Sequence, residues 1–501
     1  MEYRSTRDSR NTVQAALAIL QGIAPDGGLY VPSAESLHAF DPESVLLKPY
    51  SEAAEQILRF FFPELPDLSG AVRAAYGSGF ETEEPVRLVK AGERYILELF
   101  HGPTKAFKDL ALQMLPELVL RAKAVEQREE ETLILTATSG DTGKAAMEGF
   151  RDVPGTRILV FFPSEGVSKV QEAQMRTQEG SNTAAIGVEG NFDDVQTAVK
   201  EIFADLQKKE IVPGKKIRLS SANSINIGRL VPQIVYYFHA YSELLKKGVI
   251  QKGEEVDFTV PTGNFGDILA GFYAKEMGLP VHRLICASNK NRILSDFITT
   301  GIYDKNRSFY KTASPSMDIL VSSNLERLLY FVSEEDSAYV RQRMEELKED
   351  GVFRVDAEIL AKIQAVFSCG SMDDGAAAEE IRRTYEQDGY LADTHTAVAL
   401  GVCREYSRDE KPTCPGIVLS TASPYKFPEA VLLALRGGEE TKDTEGLTDG
   451  FAAMEALETI SKVPAPEALR TLPGKAVRFK GNIRREEMEE TVLRFAKGES
   501  L

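Results

Sequence analysis

The chain has 501 residues and a formal net charge of −17, enough for two or three domains with substantial cores. The acidic balance argues against nucleic acid and anionic membranes as partners, and no apolar run is long enough to span a bilayer. Residues 1–7 are charged with no apolar segment after them, so no secretory signal is expected; Cys286, Cys369, Cys403 and Cys414 show neither Cys-x-x-Cys pairing nor His spacing suited to zinc, so buried thiols in the cytoplasm are expected and no metal.

Apolar periodicity predicts helices over 12–23 and 51–61, punctuated by Pro63, Pro66 and the Gly77–Gly79 turn. From Thr132 the chain alternates strand and helix. Strands are expected over 132–136, 157–162 and 182–188, with helices over 143–150, 168–175 and 193–205, and this unit ends near Pro213. A second set begins at Arg218, with a helix over 227–245 and strands over 256–260 and 283–287. Residues 294–390 are more charged and helical and read as an insertion; 396–406 and 417–420 restore the α/β pattern. Residues 437–446 read as an exposed loop and 484–497 as a charged helix.

Four segments carry chemistry. Lys108 follows a Gly-Pro turn and opens a helix, whose partial positive charge disfavours an ammonium. Phe100, Phe107 and Leu110 would desolvate it in the same direction, and a neutral lysine amine is a nucleophile able to form a Schiff base. The alternative is a solvated lysine in the first turn of an ordinary helix. Residues 132–146 run from an apolar strand into a Ser/Thr/Gly turn and a small-residue helix, a geometry that binds carboxylate or phosphate. This is no P-loop: Gly140 to Gly143-Lys144 is too short, and Ala145 stands where a magnesium-binding hydroxyl is needed. Residues 256–271 repeat the strand, glycine turn and helix, with Gly263 and Gly266 allowing close backbone approach. Residues 416–427 end a buried strand in hydroxyls, at the edge where ligands of open α/β folds sit.

Together these segments resemble the threonine synthase family of pyridoxal-phosphate enzymes with the tryptophan-synthase β fold. The matching words are Phe-His-Gly-Pro-Thr-x-Ala-Phe-Lys-Asp at 100–109, Thr-Ser-Gly-Asp-Thr-Gly at 138–143 and Gly-Asn-Phe-Gly-Asp at 263–267. Asn-Ser-Ile-Asn at 223–226 with Arg229, and Asp-Gly-Gly-Leu-Tyr-Val-Pro at 26–32, add to them. The resemblance implies an α/β protein with two open twisted-sheet domains of the fold-type II architecture and an N-terminal extension. The expected division is an N-terminal domain 1–95, a large cofactor-binding domain 96–127 and 220–437 with a helical insertion 294–390, a small domain 128–219 and a tail 438–501.

The resemblance also implies roles. Lys108 would hold pyridoxal 5′-phosphate as a Schiff base and then shuttle protons. Asp141 would face the phenolic oxygen of the pyridine ring, and Thr421 the ring nitrogen. Gly263, Asn264, Phe265, Gly266 and Asp267 would cradle the cofactor phosphate, with Asp267 alternatively only a helix cap. Ser139 and Thr142 would receive the substrate carboxylate; Arg229, assisted by Ser224 and Asn226, would take the phosphate of O-phospho-L-homoserine, or else form an interdomain salt bridge. The implied reaction eliminates phosphate from Cγ and adds water at Cβ, in a monomer or homodimer. A phospholyase or ammonia-lyase of the same fold, releasing a 2-keto acid, is the rival; a non-catalytic cofactor-binding relative is more distant.

Two departures from the family pattern stand out. Lys105 occupies a position where an apolar or small residue is common, about one helical turn from Lys108 and on a similar face, so it could be mistaken for Lys108 or serve the substrate phosphate. The last motif commonly has His-Pro-Ala where this chain has Ser423-Pro424-Tyr425, which places Ser423 and Tyr425 in or beside the site.

Overall fold

Unbroken apolar runs make poor amphipathic surfaces but good central strands of parallel sheets, which are buried on both faces. In the computed structural model two such sheets form. The model describes all residues except 139, 165, 191, 207–210, 438–448 and 500. Ser139 and the expected 437–446 loop, apart from Gly437, therefore lie outside the described residues.

The larger sheet has six strands in the order Phe367–Ser371, Val281–Ser288, Val256–Pro261, Gly416–Ser420, Arg94–Glu98 and Arg87–Ala91. All pair in parallel except the last two, which form an antiparallel hairpin. The smaller sheet is parallel throughout, in the order Asn482–Ile483, Thr183–Val188, Thr156–Pro163, Glu131–Ala137 and Ile217–Ser220. Two open parallel sheets and an N-terminal extension are the architecture expected. The extension is a three-stranded antiparallel sheet, Thr12–Gln14, Glu2–Ser5 and Tyr30–Val31, with helices Ala15–Gln21, Tyr50–Phe61 and Leu68–Tyr76.

Several elements cross the expected borders. The hairpin strand Arg87–Ala91 belongs to the large sheet although it precedes residue 96. The span 294–390 is mainly helical, yet it supplies the edge strand Phe367–Ser371 and a two-stranded ribbon of Ile302–Asp304 and Val352–Arg354. The tail completes the small sheet through Asn482–Ile483, and the last helix, Met488–Lys497, packs on that domain through buried Val492 and Phe495.

The helix Ile227–Lys246 is buried along nearly its whole length and packs against Tyr50–Phe61 and against Gly266–Glu276. Its amino end is fixed by Asn226, whose Oδ1 accepts from Gly228 N–H at 2.9 Å while its Nδ2 donates to the Ile19 carbonyl at 2.9 Å. Arg327, fully buried, ties three segments: its guanidinium donates to the carbonyls of Ile225 and Tyr30 and to Asn324 Oδ1. Arg7 grips Glu326 with two bonds of 2.8 Å, which locks the extension onto the helix Leu325–Val332 that also carries Arg327. No helix among the described residues is long and apolar enough to cross a membrane.

Candidate active site

Parallel strands deliver their carboxyl-terminal loops to one edge, and in open α/β sheets that edge binds ligands. Here the loops after Arg94–Glu98, Glu131–Ala137, Val256–Pro261 and Gly416–Ser420 bring the expected residues together. The first and last are laced by backbone bonds: Leu99 N–H to Ser420 O at 3.0 Å, Phe107 N–H to Thr421 O at 2.8 Å and Ser423 N–H to Lys105 O at 3.0 Å. Thr421 thus holds the residue just before Lys108.

Lys108 is the first residue of the short helix Lys108–Leu112. Its Nζ lies 3.4 Å from Ser316 Oγ, 3.9 Å from Asp141 Oδ2 and 4.6 Å from the centre of the Phe107 ring. Burial pushes the amine down to about 8; the Asp141 carboxylate pulls it back, while Arg229 and Lys426 add to the drop. Near neutral pH a useful fraction of this amine is unprotonated, which an exposed lysine cannot offer.

Asp141 begins the helix Asp141–Gly149 and accepts from Gln171 Nε2 at 2.8 Å and Lys426 Nζ at 2.8 Å. Burial pushes its carboxyl up, but the Lys426 and Lys108 ammoniums prevail and hold it well below the usual range. Lys426 is fully buried and also donates to the Thr104 carbonyl at 2.8 Å. Removing one partner of a buried pair strands the other. Lys426→Met should therefore destabilise the protein by about 3–5 kcal/mol, read as a lower midpoint in denaturant unfolding. An unchanged midpoint would mean that other groups neutralise Asp141. Thr142, the second residue of this helix, is half-buried beside Asp141.

The turn after Val256–Pro261 carries Gly263, Asn264 and Phe265 into the helix Gly266–Glu276. Phe265 has φ 60°, a left-handed conformation that turns the chain sharply before the helix. Ser322 Oγ donates to Gly263 O at 2.9 Å, and Asn324 Nδ2 donates to Asn264 O at 2.9 Å and Ser224 Oγ at 3.3 Å, so Ser224 and this turn share one support. Asp267 turns inward: its Oδ1 accepts from Tyr236 at 2.6 Å and Tyr237 at 3.0 Å. Burial raises its carboxyl to about 6 despite those hydroxyls and the Lys108 amine.

Arg229, two residues into the helix Ile227–Lys246, is 4% exposed. Its guanidinium donates once, to Ala222 O at 2.6 Å; its Nε has no partner, and no carboxylate pairs with it among the described residues. Burial alone pushes it down to about 10. It makes no salt bridge among the described residues, so the interdomain ion pair weighed from sequence is not formed there. Asn226, expected to assist it, has both polar atoms engaged in capping and in the contact to Ile19.

Lys105 is not on a shared helical face with Lys108. It has φ 64° and ends the turn that precedes the helix, with its N–H bonded to Gly102 O at 3.2 Å. Its Nζ is paired with Glu81 at 2.7 Å. Ser423 caps the following turn by accepting from Tyr425 N–H. The Tyr425 hydroxyl points to Val463 O and Ser461, so that side chain braces the tail rather than the site.

Sequence reasoning did not single out Lys426, Gln171, Ser316, Asn324 or His395. His395 Nδ1 bonds to Asp393 Oδ1 at 2.9 Å and its Nε2 accepts from Ser316 N–H at 3.1 Å, which holds Ser316 beside Lys108.

The chain is similar to known proteins over most of its length. Residues 2–76 match the family model for the threonine synthase N terminus, 91–416 that for pyridoxal-phosphate dependent enzymes and 396–472 that for the threonine synthase C-terminal region. A threonine synthase from Pseudomonas aeruginosa is 41% identical, over 86% of this chain and 90% of its own. The human protein named threonine synthase-like 1 is 41% identical over 84% of this chain; the chain spans 58% of the length of that protein and of its counterpart from Macaca fascicularis. Among solved structures, a PLP-bound threonine synthase from Brucella melitensis has TM-score 0.84 at 39% identity, covering 99% of this chain and 100% of its own. The yeast threonine synthase has TM-score 0.86 at 33% identity, covering 99% and 98%.

Proposed function

The chain belongs to the threonine synthase family of pyridoxal-phosphate-dependent enzymes, and from that premise we propose that it converts O-phospho-L-homoserine and water to L-threonine and phosphate. The observation that carries the choice of substrate is Arg229. A buried guanidinium with one carbonyl partner is costly unless an anion completes it, and guanidinium matches phosphate in shape and charge. The molecule as a whole is acidic, so capture of a doubly anionic substrate depends on such local cations.

The residues fit pyridoxal 5′-phosphate. A desolvated amine near 8, an ionised carboxylate 3.9 Å from it that sets the charge around it, and a glycine turn whose backbone N–H groups open an 11-residue helix are groups that suit this cofactor. In the proposed assignment Lys108 takes the aldehyde carbon, residues 263–267 the phosphate, Asp141 the phenolic oxygen and Thr421 the ring nitrogen. When bound, the cofactor withdraws electrons from the substrate and so acidifies its C–H bonds. Lys108 Nζ then moves protons among the substrate carbons, Asp141 and Lys426 keep the charge around that amine fixed, and Ser316 orients it. Thr142, with Ser139, receives the α-carboxylate at the helix start. Arg229 holds the phosphate leaving from Cγ, and Ser224 lies beside the same turn. Asn226 acts one step back, by fixing the helix that carries Arg229. The four cysteines are free thiols, which supports a reducing, cytoplasmic setting; a monomer or homodimer acting on small molecules is the working assembly.

Purified protein given O-phosphohomoserine decides between this reading and a phospholyase. Equal release of phosphate and threonine is expected; 2-keto acid and ammonia in place of threonine would overturn it.

The glycine turn supplies a further test. A Cβ at Gly263 would lie 2.5 Å from the Ser316 carbonyl oxygen, a backbone atom that cannot swing aside. Gly263→Val should therefore displace the turn and Ser316 together and weaken cofactor retention, measured as cofactor released on gel filtration. Retention equal to wild type would show that the phosphate is held elsewhere.

A further inference from the structure

The strands Val256–Pro261, Val281–Ser288 and Gly416–Ser420 lie side by side in the large sheet. Their carboxyl ends face the active site. At their amino ends, on the opposite edge, three side chains from distant parts of the sequence converge: Asp257, His282 and Cys414. His282 Nδ1 is 2.9 Å from Asp257 Oδ1 and 3.8 Å from Cys414 Sγ, and one ligand atom of each lies within 4.8 Å of the others. Zinc bonds of about 2.0–2.3 Å at tetrahedral angles separate N from O by about 3.4 Å and N from S by about 3.6 Å. Shifts of roughly half an ångström would bring these atoms onto one ion.

A second observation points to a ligand. Asp257 is 2% exposed, and its Oδ2 accepts no conventional hydrogen bond among the described residues, with only the weak thiol donor of Cys414 near the carboxyl group. A buried carboxylate oxygen left this way is costly, and a cation would satisfy it. His282 and Cys414 are only partly buried, which leaves an entry path and room for a water in the fourth position. Thiolate and imidazole select zinc over the hard cations magnesium and calcium.

We propose that Asp257, His282 and Cys414 form a binding site for a zinc-class divalent ion at the amino edge of the large sheet. Coordination would displace the thiol proton to solvent and cross-link three adjacent strands away from the chemistry. The test titrates tag-free holoenzyme with Co²⁺, read in the d–d bands at wavelengths beyond the cofactor's absorption, and with Zn²⁺ against a chromophoric chelator. One equivalent per chain with a tetrahedral, thiolate-type spectrum is expected. Cys414→Ser and His282→Ala should each weaken zinc by at least the roughly 100-fold that losing an outer-shell partner can cost, and both should leave turnover unchanged. Absence of stoichiometric binding, or binding to Cys414→Ser with the wild-type spectrum and affinity, would overturn the proposal.

Discussion

Replacing Lys108 with alanine should abolish turnover while the protein stays folded. Its amine lies beside both Asp141 and Ser316 and is held near 8; the other lysine amine at Asp141, that of Lys426, is engaged by the Asp141 carboxylate and the Thr104 carbonyl. General acid–base catalysis alone is worth about 10²–10⁴-fold, so loss of both roles should leave no measurable rate. Borohydride reduction followed by peptide mapping should find the cofactor on Lys108. A label on Lys105 would sink the assignment; its pairing with Glu81 at 2.7 Å argues against one. The neutral amine is the nucleophile, and only the fraction above its titration point reacts. The rate at which cofactor-free enzyme captures pyridoxal phosphate should therefore rise with pH, as one deprotonation, and level off above about 8. A rate still climbing near 10 would mean that the amine is not desolvated.

The central strands were legible because they are contiguous apolar runs. The reading 132–136 becomes Glu131–Ala137, 157–162 becomes Thr156–Pro163, and 256–260 becomes Val256–Pro261. Pairing at sheet edges was not legible. Residues 12–14 read as the start of a helix but pair with Glu2–Ser5, a contact that helical periodicity cannot show. The strand Phe367–Ser371 has the composition Phe-Ser-Cys-Gly-Ser and exists because Val281–Ser288 offers it an edge. The site divides the same way. Lys108, Asp141 and residues 263–267 announced themselves by glycine turns between a strand and a helix. Ser316, Asn324 and His395 carry no local signal; the first two reach the site because the 294–390 span folds back over the turn at 263–266, and His395, from the helix Thr394–Glu410, meets Ser316 there. Lys426 stands within the last motif, where a lysine between Tyr425 and Phe427 just after the hydroxyl-rich strand end is the signal the sequence offers; its full burial appears only in the fold. The Asp257, His282 and Cys414 cluster defeats spacing rules outright, because its members are 25 and 132 residues apart and only a parallel sheet brings them together.

Arg229→Met should make the phosphate-free protein more stable and the enzyme worse. Burial lowers this guanidinium from 12.5 to about 10. A folded-state value below the unfolded one means that the charged form is penalised in the fold, at every pH below about 10. The size is about 3 kcal/mol, and methionine would remove it while keeping much of the packing. The unfolding midpoint of cofactor-free protein should rise in Arg229→Met, as is common where a site holds an unsatisfied charge for its ligand. Function should move the other way. A charge-assisted contact to phosphate is worth about 1.5–3 kcal/mol, so KM for O-phosphohomoserine should rise roughly ten- to a hundredfold with the cofactor's absorption unchanged. Arg229→Lys should recover part of the loss, since an ammonium lacks the two-pronged donor. Collapse of the absorption spectrum in Arg229→Met would assign the residue to the cofactor phosphate instead. Unchanged kinetics would release it from both phosphates, and Lys105, at the turn before Lys108, would be tested next.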